Sequence, residues 1–166
     1  MNYVFVTVGS TSFEYLIQNI DNKYVLSKLK SLGYTKIIYQ IGSGKYVPSV
    51  THILTVECFK YKPTISNIIR ESSLVICHAG VGTVMETLKA KRPIIVVPNP
   101  TLMDNHQYEL ADTLAIQRYV VKCMPENIID QLSFDFSKRT SWMPTDLSPF
   151  NILIQEEIMA LDVFLI

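Results

Sequence analysis

Leu74-Val-Ile-Cys-His-Ala-Gly-Val-Gly-Thr-Val-Met-Glu86 decides the fold. Leu74 to Cys77 is a strand-length apolar run without polar alternation, the pattern of a strand covered on both faces. A turn with two glycines, Gly80 and Gly82, follows, and residues 83–90 then read as a helix. Strand, tight turn and helix in so short a stretch are the unit of a parallel sheet, whose neighbouring strands need a crossover between them.

The same unit recurs outward in both directions. Apolar or β-branched runs at residues 3–8, 37–41, 53–58, 94–97 and 119–122 read as strands. Between them Phe13, Leu16, Ile17 and Ile20 fall at helical spacing, as do Val25, Leu26, Leu29 and Leu32, where Gly33 provides a C-cap. Ile65, Ile68 and Ile69 mark a short helix, and residues 105–117 a longer one with Leu110, Ala111 and Leu114 inward. Residues 133–148 carry no pattern and read as a loop. Ser148-Pro149 then reads as an N-cap and first helical position, opening a helix to residue 162. The expected fold is α/β: a Rossmann-like parallel sheet with helices on both faces, as a single domain across residues 1–166.

Composition narrows the function classes. At 166 residues and 48% hydrophobic content the chain can build one sizeable core. Its formal net charge of zero gives no electrostatic case for nucleic acid. No apolar run approaches the roughly 20 residues of a membrane span. The N-terminal Met-Asn-Tyr-Val-Phe-Val reads as a strand and not as a signal peptide. Cys58, Cys77 and Cys123 lie in apolar runs without CxxC spacing, so buried reduced thiols in a cytosolic setting are expected, and no metal site.

Five of the six glycines, Gly9, Gly42, Gly44, Gly80 and Gly82, follow expected strands. In a parallel sheet those turns share one edge, where ligands bind. Gly80-Val-Gly82-Thr83 would aim helix N-terminal amides at a diphosphate, and Glu86, one turn on, would accept ribose hydroxyls. The bland alternative is a helix start with a favourable acid. It is a poor dinucleotide fingerprint: Met85 stands at the third glycine position, and Val97-Pro98 ends the next strand without a ribose-binding acid. Asp104-Asn105-His106-Gln107 crowds hydrogen-bonding groups into a helix start. An N-cap accounts for Asp104 and leaves His106 and Gln107 for a sugar. Gly9-Ser10-Thr11 offers amides and hydroxyls on the same edge, or a plain helix cap. Phe59-Lys60-Tyr61 borders a base or packs at an edge. His78 follows a buried strand, where a lone histidine is more often structural. With no DxD-like acid pair, the helix N-terminus and not a metal would stabilise a diphosphate leaving group.

These stretches, with Val6-Thr-Val-Gly-Ser-Thr11 and Leu102-Met-Asp-Asn-His-Gln107, resemble the small cytosolic subunit of the eukaryotic UDP-N-acetylglucosamine transferase of dolichol-linked oligosaccharide synthesis. They are also similar to the donor-binding C-terminal half of the bacterial lipid II-forming enzyme. The resemblance runs from about Tyr3 to Tyr119 and is weak beyond. It implies one half of a GT-B glycosyltransferase, acting without a cofactor. UDP-N-acetylglucosamine would be the donor, and a membrane-anchored partner would bind the lipid-linked acceptor at the cytosolic face of the endoplasmic reticulum. It implies Gly80, Gly82 and Thr83 at the diphosphate, Glu86 at the ribose, His106 and Gln107 at the N-acetylglucosamine, and the Phe59-Lys60 backbone near uracil. In the bacterial enzyme a second glutamine stands at the position of His106. No residue here stands out as the general base, which is expected from the partner.

The apolar stripe Phe150, Leu153, Ile154, Ile158 and Leu161, followed by Val163-Phe-Leu-Ile166, fits docking to a partner or membrane, or packing on the chain's own core. Competing readings of the whole are a subunit of a two-chain polysaccharide glycosyltransferase, a non-catalytic nucleotide-sugar-binding module, and a dinucleotide domain.

Overall fold

The computed structural model describes residues 2–100 and 106–143. Asp104, Asn105 and the expected C-terminal helix lie outside the described residues. Among the described residues six strands form one sheet: β1 Tyr3–Thr7, β2 Lys36–Gln40, β3 Thr55–Phe59, β4 Leu74–Cys77, β5 Ile94–Val96 and β6 Val121–Lys122. Their order is β3-β2-β1-β4-β5-β6, and every pairing is parallel. The chain adds strands to one side of β1, then crosses back and adds β4 to β6 on the other. The β1/β4 boundary is therefore the switch point, where the loops after the strands part and leave a crevice.

Strand alternation sends each residue set to its own face. Val4, Val6, Ile37, Tyr39, Leu74, Ile76 and Ile95 face α1 (Glu14–Ile20), α2 (Lys23–Ser31) and α6 (Ile128–Gln131). Phe5, Ile38, Val75, Cys77, Ile94 and Val96 face α3 (Ser66–Glu71), α4 (Val81–Lys89) and α5 (His106–Ile116). Nearly all are fully buried, each stabilising the fold by about 1.5–3 kcal/mol in transfer free energy.

The β2–β3 connection, residues 41–54, contains no helix and is held by two carboxylates of the α1 region. Glu14 Oε1 accepts from the amides of Lys45 (2.6 Å) and Tyr46 (3.2 Å). Asp21, buried at the C-cap of α1, accepts from the Tyr46 hydroxyl and the Ser49 amide at 2.7 Å each, and from the Val50 amide at 3.2 Å. Buried carboxylate oxygens are costly unless hydrogen-bonded, and these donors satisfy them. The bond to Asp21 in turn raises the Tyr46 pKa.

Three helices end alike. After α2, Gly33 adopts φ +88°, its amide bonds Lys30 O and the Tyr34 amide bonds Leu29 O, the paired bonds of a Schellman motif. After α4, Lys91 (φ 57°) bonds Leu88 O and Arg92 bonds Thr87 O. After α5, Arg118 (φ 61°) bonds Ala115 O and Tyr119 bonds Leu114 O. The expected cap at Gly33 is present.

Within the described residues, the expected strands and helices agree with the structure to within a residue or two. Three differences have physical causes. The short helix α6 carries too few turns for a periodic pattern. The stretch from residue 133, expected as loop, contains a 3₁₀ turn at Phe136–Lys138 and reaches Trp142, which is buried in the cluster on the α3–α5 face of the sheet. Cys58 is exposed, not buried as expected, because β3 is an edge strand whose residues are only partly covered.

Candidate functional site

At the switch point an open cleft of about 450 Å³ is lined by residues after β1, by the segment leading into α3 and by the first turns of α4. Its β1 side is built as a relay. Thr7 Oγ1 accepts from the Gly9 amide at 3.0 Å and donates to Gln40 Oε1 at 2.8 Å. Gly9 turns with φ +64°, Thr11 Oγ1 donates to Val8 O at 2.8 Å, and the Ser43 amide is shared between Ser10 O (3.2 Å) and Thr11 O (3.1 Å). The loops after β1 and β2 thus brace each other. Gly9, Ser10 and Gln40 reach the cleft.

His78 lies beneath this loop. Its ring is wedged so closely that a Cβ on Gly9 would come within 3.0 Å of Cε1, and one on Gly80 within 2.4 Å of Nε2. These two glycines are required by the imidazole. At Gly82 an added Cβ would meet nothing within 4 Å. His78 is buried, and its Nδ1 has no hydrogen-bond partner among the described residues. Burial pushes its pKa down, with the Thr7 carbonyl opposing this in part, so the ring is neutral at pH 7. Below the unfolded-state value near 6.5, the unfolded chain takes up a proton that the folded one resists. Stability contributed by a neutral His78 is therefore complete above that pH and declines as pH falls towards the folded pKa. His78→Gln is expected to flatten the melting-temperature slope between about pH 6.5 and 5. Equal slopes in both proteins would refute this.

On the opposite side, α4 starts at Gly80, which gives its first turn no side-chain cap. Gly82, Thr83 and Glu86 line the cleft from this helix. The Ser66 hydroxyl, at the start of α3, donates to Glu86 Oε1, and Thr64 Oγ1 lies 3.1 Å from Ser66 Oγ. An uncapped helix N-terminus beside a carboxylate suits an anion joined to a diol.

The remaining expected residues are placed differently. Phe59 and Lys60 do not line the cleft: their carbonyls accept from the amides of Ile41 (3.0 Å) and Gly42 (2.9 Å), prolonging the β2–β3 ladder. The Phe59 ring stacks with Phe5 at 6.5 Å, and Lys62 Nζ sits 4.4 Å from its centroid. Tyr61, Lys62, Thr64 and Ser66 enter the cleft instead. Thr11 supports the loop from behind. His106 opens α5. Gln107 Oε1 accepts from the amide of buried Asn99 at 3.4 Å, just after β5, outside the cleft's lining. Tyr61 is the member of the Phe59-Lys60-Tyr61 run that reaches the cleft, and Gln40 and residues 62–66 carry no signal that the sequence reading used. Gln40 reads as an interior strand residue, and only its position at the end of a strand beside β1 would have flagged it.

The family model of the glycosyltransferase family 28 C-terminal domain matches residues 3–149. The human "UDP-N-acetylglucosamine transferase subunit ALG13" is 43% identical over 125 residues, covering 74% of this chain and 11% of that protein. The Saccharomyces cerevisiae ALG13 subunit is 35% identical over 121 residues (70% of this chain, 56% of that one), and the Kluyveromyces lactis subunit 31% over 150 residues (70% and 76%). The chain thus spans a small part of the human relative and a little over half of the yeast one. Among solved structures, the solution structure of ALG13 superposes with TM-score 0.65 at 25% identity, covering 89% of this chain and 92% of that one. Acinetobacter baumannii MurG superposes with TM-score 0.59 at 23% identity (78% and 39%), a likeness of fold. With the family model spanning most of its length, this chain belongs to the glycosyltransferase family 28 C-terminal domain family, among homologues of the ALG13 subunits.

Proposed function

We propose that the chain is the donor-binding subunit of a two-chain inverting glycosyltransferase. It would move N-acetylglucosamine from UDP-N-acetylglucosamine to an N-acetylglucosaminyl-diphosphodolichol acceptor. The observation carrying this reading is the cleft in which the uncapped N-terminus of α4 and Glu86 stand together. The amides at Gly82 and Thr83 hold the diphosphate, whose charge grows as the anomeric bond breaks, so they act chiefly in the transition state. Glu86 accepts the ribose hydroxyls, and the base lies against the strand-end segment running from Phe59 to Ser66. His106 and Gln107 attend the sugar from the start of α5, as would Asp104 and Asn105, their neighbours in the sequence.

A partner subunit anchored in the membrane presents the acceptor and supplies the general base. No helix among the described residues is long and apolar enough to cross a membrane, which agrees with attachment to the endoplasmic reticulum through that partner. Glu86→Gln is expected to raise KM for the donor about 10–100-fold, the loss of one to two charge-assisted hydrogen bonds, with a smaller change in kcat. An unchanged KM would remove Glu86 from the ribose.

The test of the whole reading is sugar transfer in membranes depleted of their own soluble subunit, with and without this chain. Turnover that depends on adding the chain supports it. Donor binding without any turnover would favour a non-catalytic nucleotide-sugar module, and preference for another UDP-sugar a polysaccharide glycosyltransferase. Transfer by the isolated chain would place the base here and not on the partner.

A further inference from the structure

Glu86 stands between two concavities. On one side is the cleft, and on the other a second hollow of about 260 Å³, lined by Ser66, Arg70, Glu86, Lys89 and Ala90. Ser66, the first residue of α3, lines both. The two hollows offer the Glu86 carboxylate different company. The cleft offers hydroxyls, and the second hollow offers cations. Lys89 stands three residues on from Glu86 in α4, the spacing at which helix side chains meet. Arg70 stands four residues on from Ser66 in α3. The Arg70 guanidinium is already engaged by Asn67 Oδ1. Lys89 is exposed and has no ion pair among the described residues, so it is the free competitor for Glu86.

Glu86 nevertheless pairs with neither cation, and its Oε1 accepts from the Ser66 hydroxyl. What lies behind that bond fixes its direction. An ionised carboxylate only accepts hydrogen bonds, so the Ser66 proton is committed to Glu86. Thr64 Oγ1, 3.1 Å from Ser66 Oγ, is then the donor between the two hydroxyls, and it accepts in turn from the Ser66 amide at 3.4 Å. The chain runs from the Ser66 amide through the Thr64 and Ser66 hydroxyls to Glu86, every proton pointing towards the carboxylate, an order in which each bond polarises the next. A hydrogen bond to a charged acceptor outweighs an exposed lysine–carboxylate pair, so the hydroxyl holds Glu86 against Lys89. Oε2 and the remaining lone pair of Oε1 are left for a diol.

We infer that Ser66 is a positioning residue for donor binding: its hydroxyl, backed by Thr64, keeps Glu86 available to the cleft and out of an ion pair with Lys89. The inference rests on Glu86 as the ribose acceptor and adds the contact that holds it ready.

Equilibrium binding of UDP and of its 2′,3′-dideoxy analogue to the full chain tests this. The unmodified chain is expected to prefer UDP. Ser66→Ala should weaken UDP about three- to tenfold, because only a fraction of molecules then present the carboxylate, and should leave the analogue, which has no diol for Glu86, within about twofold. In a Lys89→Met background the same Ser66→Ala change should cost under about twofold, since the competing cation is gone. In the membrane transfer assay the loss should appear in KM and not in kcat. Three results would each overturn the inference while leaving the proposed function standing: Ser66→Ala binding UDP like the unmodified chain, losing the analogue as strongly as UDP, or losing UDP equally with and without Lys89. An unmodified chain that binds neither UDP nor UDP-N-acetylglucosamine would overturn the proposed function, and this inference with it.

Discussion

Gly42→Ala is expected to lower the thermal midpoint by about 4–20 °C, the largest effect of any glycine substitution here. Two costs coincide. Gly42 has φ +58°, where a side chain costs about 1–2 kcal/mol. Its added Cβ would lie 1.9 Å from Thr11 O and 2.9 Å from Gly9 O. Both are backbone atoms of the brace behind the cleft, so the clash is relieved only by moving the loop, at about 1–3 kcal/mol. The sum, about 2–5 kcal/mol, is a large fraction of the total of about 5–15 for a domain. Gly82→Ala is the matched control. No neighbour meets its Cβ, and it sits inside α4, so stability should hold or rise by up to about 1 kcal/mol. Donor affinity should fall, because the new methyl enters the open face. Thermal unfolding of both variants decides the matter, and a Gly42→Ala midpoint within a degree or two of the parent would overturn the account.

Trp142→Ala should cost about 3–5 kcal/mol. The indole is 3% exposed and belongs to the buried cluster on the α3–α5 face of the sheet. It also anchors the segment that reaches back across the helix ends, where the Thr140 amide bonds Arg118 O at 2.9 Å and the Arg139 guanidinium bonds the carbonyls after α4. Removing the ring therefore opens a cavity and loosens a strap. Denaturant unfolding should show a lower midpoint at nearly constant slope. A loss under about 1 kcal/mol would mean the segment packs elsewhere.

How much of this was legible in the chain follows from where each signal resides. Strands buried on both faces are unbroken apolar runs, so β1, β2, β4 and β5 could be read directly. Gly33 announced its cap because glycine is the usual left-handed residue. Lys91 and Arg118 fill the same role without any sequence signal, since their conformation is imposed by the bonds around them. The glycines near the site were correctly assigned to one edge, yet for Gly9 and Gly80 the reason is the His78 ring. The Gly9 contact joins the ends of two strands distant in sequence. A sequence does not reveal how far a ladder runs: the Phe59 and Lys60 carbonyls are engaged by Ile41 and Gly42, and residues 61–66 line the cleft. Ser66, across from Glu86, carries no motif. Only the approach of α3 to α4 makes the pair visible.

The central place of β1 has a consequence for how the chain is made. β1 pairs on one side with β2, 33 residues later in register, and on the other with β4, whose Leu74 meets Val4. A nascent chain can complete only the first pairing until residue 77 has emerged. Meanwhile the Val4–Thr7 edge, later fully buried, stands open with unpaired amides and carbonyls. Such an edge templates association with other chains. Translation through the β3–α3 stretch is thus the interval in which that edge is exposed to association.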